Sequence, residues 1–295
     1  MFTGLYTALV TPFLPDGRFN EAKMKELVRF QGINGVEGVV PAGTTGENPT
    51  FSDKEHLRVI QTTVEAAKEV SLKVIAGCGS NNTEKAAILC KKAAELGADG
   101  ALVITPYYNK PNQEGLYKHF MAVADNSPIP VIMYNVPGRT CVNLLPETVE
   151  RLAQHENIVG LKEASGSVAQ AQEIIFACGD KINLFSGEDE LTYALMAIGG
   201  KGVISVSSNI IPEQMNNLVE AMLKGDFTTG LRIAKEVNEI CKKMFIDTNP
   251  IPVKEAMNIM GMEVGPTRLP LTTISEANRK ILLGLLKRNG LLIND

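Results

Sequence analysis

Between Lys73 and Ile104 the chain reads KVIAGCGSNNTEKAAILCKKAAELGADGALVI, and the reading of this stretch decides the fold. Lys73-Val74-Ile75-Ala76 is a short apolar run that suits a strand buried on both faces. Asn82-Thr83-Glu84 opens a segment rich in Ala, Leu and Lys that stops at Gly97, which reads as a helix. Ala101-Leu102-Val103-Ile104 is a second apolar run. Strand, helix and strand within about 30 residues is the size of one β-α-β unit. The pattern extends in both directions. Apolar runs begin near Leu5, Val36, Lys73, Gly100, Pro130, Ile158, Ile182 and Gly202, about 28 residues apart on average. Helix signals fill the gaps: Ser52-Asp53-Lys54-Glu55 is a capping-box pattern, and Pro146-Glu147 fits a first helical turn. Eight strands each followed by a helix predict an α/β fold, a (β/α)₈ TIM barrel, over residues 1–225. A doubly wound sheet is the alternative, but it needs fewer and more uneven repeats. Residues 226–295 are expected to form a C-terminal three-helix region, with helices over 226–245, 251–260 and 274–289. Pro250, Pro252, Gly261, Gly265, Pro266 and Pro270 punctuate it.

Composition narrows the function. The 295 residues carry 29 Lys and Arg against 33 Asp and Glu, a formal net charge of −4. Nucleic acid is therefore not an expected partner, since phosphate binding needs a concentrated basic surface. No basic segment precedes an apolar run at the N-terminus, so no signal peptide is expected. No apolar stretch approaches the ~20 residues of a membrane span, so no membrane partner is expected. The five cysteines are dispersed without a C-x-x-C and fit reduced, buried thiols in a cytoplasmic protein. The three histidines form no H-x-H or H-E-x-x-H pair, so a histidine-rich zinc site is not expected, although carboxylate-bound Mg²⁺ stays open on this count.

In a barrel, chemistry collects where strands end. After the second run comes Pro41-Ala42-Gly43-Thr44-Thr45-Gly46-Glu47, whose small residues and two hydroxyls suit an anion or a plain turn. After the fourth comes Thr105-Pro106-Tyr107-Tyr108-Asn109. After the fifth comes Tyr134-Asn135-Val136-Pro137-Gly138-Arg139-Thr140: Tyr134 closes a buried strand, and Arg139 is placed to grip a carboxylate or to lie in a surface turn. The sixth run, Ile158-Val159-Gly160-Leu161-Lys162-Glu163, is the sharpest. Alternation puts Ile158, Gly160 and Lys162 on one face. If that face points inward, burial lowers the pKa of Lys162 and makes it a nucleophile towards a keto group. Pairing with Glu163 is the competing role. The last loops, Ser186-Gly187-Glu188 and Gly199-Gly200-Lys201-Gly202, leave a phosphate-binding or flavin-binding barrel open.

Taken together, the segments 43–47, 106–109, 134–140, 162–166 (Lys162-Glu163-Ala164-Ser165-Gly166) and 249–254 (Asn249-Pro250-Ile251-Pro252-Val253-Lys254) resemble the dihydrodipicolinate synthase / N-acetylneuraminate lyase family in order and spacing. The resemblance runs nearly end to end. It implies a lyase that condenses pyruvate with L-aspartate 4-semialdehyde in diaminopimelate and lysine synthesis, with a sugar-acid aldolase as the alternative. It implies that Lys162 forms a Schiff base with pyruvate, with no other cofactor and no metal. It implies a proton relay of Tyr134, Thr44 and Tyr108, the last lent by a neighbouring subunit. Thr44 and Thr45 match the pair that holds pyruvate's carboxylate, Arg139 grips the semialdehyde's carboxylate, and Gly187 and the Ile204 carbonyl border the pyruvate pocket. A homotetramer, a dimer of dimers with Tyr107 and Tyr108 at the tight interface, is implied as well.

Some members of this family bind free lysine at that interface. The matching positions here are Asn48, Pro49, Asp53, His56, Asn81, Lys85 and Tyr107. Asp53 stands where sensitive members carry histidine, and Lys85 where they carry glutamate. Weak or absent lysine inhibition is therefore expected, because an attractive contact becomes a like-charge one.

Overall fold

The apolar runs become strands because each lies between two apolar layers, the barrel interior and the ring of helices. The computed structural model describes residues 2–292. Its strands are β1 (Gly4–Ala8), β2 (Gly38–Val40), β3 (Lys73–Gly77), β4 (Gly100–Ile104), β5 (Val131–Asn135), β6 (Ile158–Glu163), β7 (Asn183–Ser186) and β8 (Gly202–Ser205). All neighbours pair in parallel, and β8 returns to β1 to close the barrel. This is the (β/α)₈ barrel that the repeat predicts.

The helices are α1 (Glu21–Ile33), α2 (Asp53–Glu69), α3 (Thr83–Leu96), α4 (Gln113–Asn126), α5 (Pro137–Thr140), α6 (Pro146–Leu152), α7 (Val168–Cys178), α8 (Thr192–Ala197), α9 (Pro212–Leu223), α10 (Phe227–Lys243), α11 (Ile251–Ile259) and α12 (Glu276–Arg288). Local chemistry sets their ends. The Ser52 hydroxyl accepts from the Glu55 amide at 3.2 Å, and the Asn82 side chain accepts from the Lys85 amide at 3.1 Å. Gly97 ends α3 with φ +91°, a left-handed conformation that glycine adopts at least cost. Four of the five cysteines are buried. Cys141 departs from the expectation and is exposed, because it caps the four-residue α5 rather than facing the core.

One irregularity bears on the site. Along the β5–β6 ladder, Val131 pairs with Ile158, but Ile132 pairs with Gly160. Val159 is therefore an extra residue, a β-bulge. The register that follows sets Tyr134 opposite Lys162 and Asn135 opposite Glu163. Ile132 and the Phe185 ring pack beside Gly160. A Cβ on Gly160 would lie 3.5 Å from each of them and 3.0 Å from the Asn183 carbonyl.

The last helices are laced back to the strand ends. Lys254 on α11 donates to the Thr11 carbonyl at 3.0 Å and to Glu47 Oε1 at 2.9 Å. Arg268 donates through its main chain to Glu47 Oε2 and through its guanidinium to Glu55 and the Gly17 carbonyl.

Candidate active site

A cavity of about 710 Å³ opens at the C-terminal ends of the strands. Lys162 and Tyr134 both line it. Register partners in a parallel pair point to the same face, so the amine and the phenol share the interior. The Lys162 ammonium nitrogen lies 4.3 Å from the centre of the Tyr134 ring. Lys162 is only 6% exposed. Burial lowers its pKa from 10.5 to about 8; the nearby Asp189 carboxylate opposes that shift, and Arg139 adds to it. Tyr134 is buried too, and its phenol is pushed up to about 12, with Arg139 and the nearby Thr44 hydroxyl pulling partly back.

Alternation also settles the competing role for Lys162. Glu163 points to the opposite face, under α7. There it accepts from Asn135 Nδ2 at 3.0 Å and from the Ser165 amide at 2.7 Å. Burial raises the Glu163 pKa against those hydrogen bonds. Among the described residues no carboxylate forms a salt bridge with Lys162. Gly187 makes room for the lysine stem, because a Cβ there would come within 3.2 Å of Lys162 Cε and 2.7 Å of Ala164 Cβ.

Hydroxyl and guanidinium groups stand around this pair. Thr44, Thr45 and Arg139 all line the cavity. Asn249, between α10 and α11, lines it as well. Its side-chain amide donates to Thr45 Oγ1 at 3.0 Å, and its main-chain carbonyl accepts from Arg139 at 3.2 Å. The motif containing Asn249 was visible in the sequence, but a role in the site was not. Asp189 escaped notice likewise: it is buried and accepts from the amides of Val206 and Ser207 at 3.1 and 2.7 Å.

Other candidate residues lie apart. Ile204 is fully buried on β8 outside the cavity lining, which Val206 reaches instead. Tyr107 lines the cavity, whereas Tyr108 is 89% exposed and does not. Tyr108 holds a left-handed φ of +72°, a costly conformation for an aromatic residue. The cavity continues past Tyr107 to Asn48, Asp53, His56, Asn81 and Lys85. There Lys85 Nζ and Asp53 Oδ1 form an ion pair at 2.9 Å. His56 is buried against the Gly77 carbonyl at 2.7 Å, and burial lowers its pKa. Among the described residues no three His, Cys, Asp or Glu side chains cluster as metal ligands, and no helix is long and apolar enough to cross a membrane.

Residues 1–289 match the Dihydrodipicolinate synthetase family. The chain belongs to that family. Among dihydrodipicolinate synthetase relatives, the 4-hydroxy-tetrahydrodipicolinate synthase of Geotalea uraniireducens is 51% identical, over 99% of this chain and 100% of the relative. The dihydrodipicolinate synthase structure from Aquifex aeolicus is 43% identical and covers 100% of both chains with a TM-score of 0.97. A third member of the dihydrodipicolinate synthetase family, from Cyanidioschyzon merolae and solved with lysine bound, is 40% identical, covers 99% of both chains and superposes with a TM-score of 0.96.

Proposed function

We propose that the chain is a 4-hydroxy-tetrahydrodipicolinate synthase, condensing pyruvate with L-aspartate 4-semialdehyde. The observation that carries this reading is Lys162: buried, free of a carboxylate partner and in register with Tyr134. The sugar-acid aldolases are not favoured, since the close relatives share the synthase name. A barrel built around phosphate or flavin leaves the amine and the phenol without roles.

The neutral Lys162 amine adds to the keto carbon of pyruvate to give a carbinolamine. Its hydroxyl leaves as water, and an imine forms. Tyr134, with Thr44 beside it, moves the protons on and off. Loss of a methyl proton gives an enamine, whose carbon attacks the aldehyde carbon; the C–C bond forms, the aldehyde oxygen takes up a proton to become a hydroxyl, and the imine to Lys162 is restored. The semialdehyde's amine then displaces Lys162 from the imine carbon and closes the ring. Thr44 and Thr45 hold the pyruvate carboxylate, Gly187 borders the pyruvate pocket, and Arg139 holds the carboxylate of the second substrate. Borohydride reduction with pyruvate followed by mass mapping tests the reading. The adduct is expected on Lys162, and an adduct on a different lysine would refute the mechanism.

Arg139→Ala is expected to raise the KM for the semialdehyde far more than that for pyruvate, since only the aldehyde loses its ion pair. The loss corresponds to roughly 1.5–3 kcal/mol. Equal rises in both constants would remove this role from Arg139.

Tyr108 is proposed to complete a neighbour's relay in a homotetramer built as a dimer of dimers. Its exposure and left-handed backbone support this reading, since an aromatic side chain displayed at a conformational cost suits a partner's pocket. Diluting the protein until sedimentation shows only monomer is expected to abolish turnover. A fully active monomer would rule out the shared site.

We also propose that free lysine inhibits weakly or not at all. The carboxylate available to an effector's ammonium, Asp53, is already paired with Lys85, whose charge repels that ammonium. A titration of L-lysine against initial rate is expected to show half-inhibition only above the millimolar range. Submillimolar half-inhibition would contradict it, and Lys85→Glu with Asp53→His is expected to increase sensitivity.

A further inference from the structure

Asn249 is contributed by the connection between α10 and α11, 204 positions from the hydroxyl that it touches. The residue is 5% exposed and lies at the wall of the cavity. The amide nitrogen donates to Thr45 Oγ1 at 3.0 Å, whereas the amide oxygen is buried with no partner. A threonine hydroxyl has one hydrogen to give and lone pairs to receive with. Once Oγ1 receives from Asn249, its own hydrogen is left for the cavity. The Asn249 main-chain carbonyl meanwhile receives the Arg139 guanidinium at 3.2 Å. The segment is braced from behind by Lys254, five positions on, which is ion-paired at 2.9 Å to Glu47, two positions after Thr45.

We propose that Asn249 is a positioning residue: its side chain fixes the Thr45 hydroxyl as a donor to the carboxylate of a 2-keto acid, while its main chain holds Arg139 for the second substrate. This deepens the reading of the site given above and rests on it. The two halves of the residue then have separable consequences, because a side-chain substitution removes the first contact and keeps the second.

The test is the pyruvate concentration at half-maximal rate of borohydride trapping on the intact protein, with steady-state KM values beside it. Asn249→Ala is expected to raise the pyruvate half-saturation about fivefold, the size of one lost net hydrogen bond, with the semialdehyde KM and the rate at saturating pyruvate changed by less than about twofold. In a Thr45→Val background the same substitution is expected to add nothing, since the hydroxyl that it orients is gone. Asn249→Asp keeps the shape, has no N–H to offer and draws the Thr45 hydrogen to itself, so it is expected to raise half-saturation at least as far. It decides the matter if Asn249→Ala does not fold. Unchanged half-saturation, equal rises for both substrates, or additive effects with Thr45→Val would each overturn the role. A parent protein that pyruvate does not trap at all would instead overturn the proposed function.

Discussion

Lys162→Arg is expected to abolish pyruvate trapping and to cut turnover by roughly a thousandfold or more, the scale seen when a covalent nucleophile is removed. Arginine keeps the positive charge but is never deprotonated in a protein, so it has no lone pair to offer the keto carbon. Lys162→Met separates lost chemistry from lost fold. It is expected to be equally inactive and to melt no lower than the parent, since it removes a buried amine that had no salt-bridge partner. The pH dependence has a definite sign. With a pKa of about 8, Lys162 is mostly ammonium at pH 7 and mostly free amine at pH 9. Initial trapping rates are therefore expected to rise through about pH 8 and then level off. Stability follows from the same shift. A lysine whose folded pKa lies below its unfolded value costs stability at low pH, and the cost fades as pH rises from about 8 to 10.5. The stability advantage of Lys162→Met is thus expected to be largest below pH 8 and to shrink above it. A trapping rate independent of pH between 7 and 9 would mean that the amine is not the titrating nucleophile.

Lys254→Met is expected to be the most destabilising single change at the strand ends. Glu47 and Lys254 are almost wholly buried, with side-chain exposures of 0% and 2%. Burial lowers the Lys254 pKa to about 8, against the pull of Glu47. Removing the lysine leaves the buried Glu47 carboxylate without its counter-charge, with the Arg268 amide still donating to it, at a cost of about 3–5 kcal/mol. For a chain of this size that lowers Tm on the order of 10 °C. Glu47 itself sits at φ +57°, so the pair also holds a strained backbone in place just after Thr44 and Thr45. Pyruvate half-saturation is expected to rise along with the loss of stability. Adding Glu47→Gln is expected to restore part of the melting temperature, because the stranded charge is gone. Thermal unfolding of both variants checks this, and a parent-like Lys254→Met would show that the pair contributes nothing net.

The barrel was legible because buried strands demand apolar runs, and the starts at Lys73, Gly100, Ile158 and Gly202 fall where the structure begins β3, β4, β6 and β8. Helix ends were legible at Ser52, Asn82 and Gly97 because a cap is local chemistry. Lys162 and Tyr134 stood out because polar groups closing apolar strands need a reason to be there. What escaped were particular side-chain contacts that the chain makes across long separations. Glu47 and Lys254 lie 207 positions apart, and neither carries a mark of the other. Asn249 reads as a residue before a proline until Thr45 is seen beside it. The contact between Asp53 and Lys85 needs the relative placement of α2 and α3, which no periodicity supplies. The exposure of Cys141 depends on a helix of only four residues, too short to announce itself as a pattern.

The bulge at Val159 works as a phase shift. Without that extra residue the ladder would set Leu161 opposite Tyr134, and Lys162 would fall in step with Asn135 on the helix side. Amine and phenol therefore share a compartment through a count of residues along two strands, not through any bond between their side chains. An odd-numbered insertion or deletion between Ile158 and Lys162 would exchange the inside and outside of the strand end, exporting the amine and importing the carboxylate of Glu163. Substitutions in the same window leave the count alone. The strand thus tolerates changes of spelling far better than changes of length, much as a reading frame does.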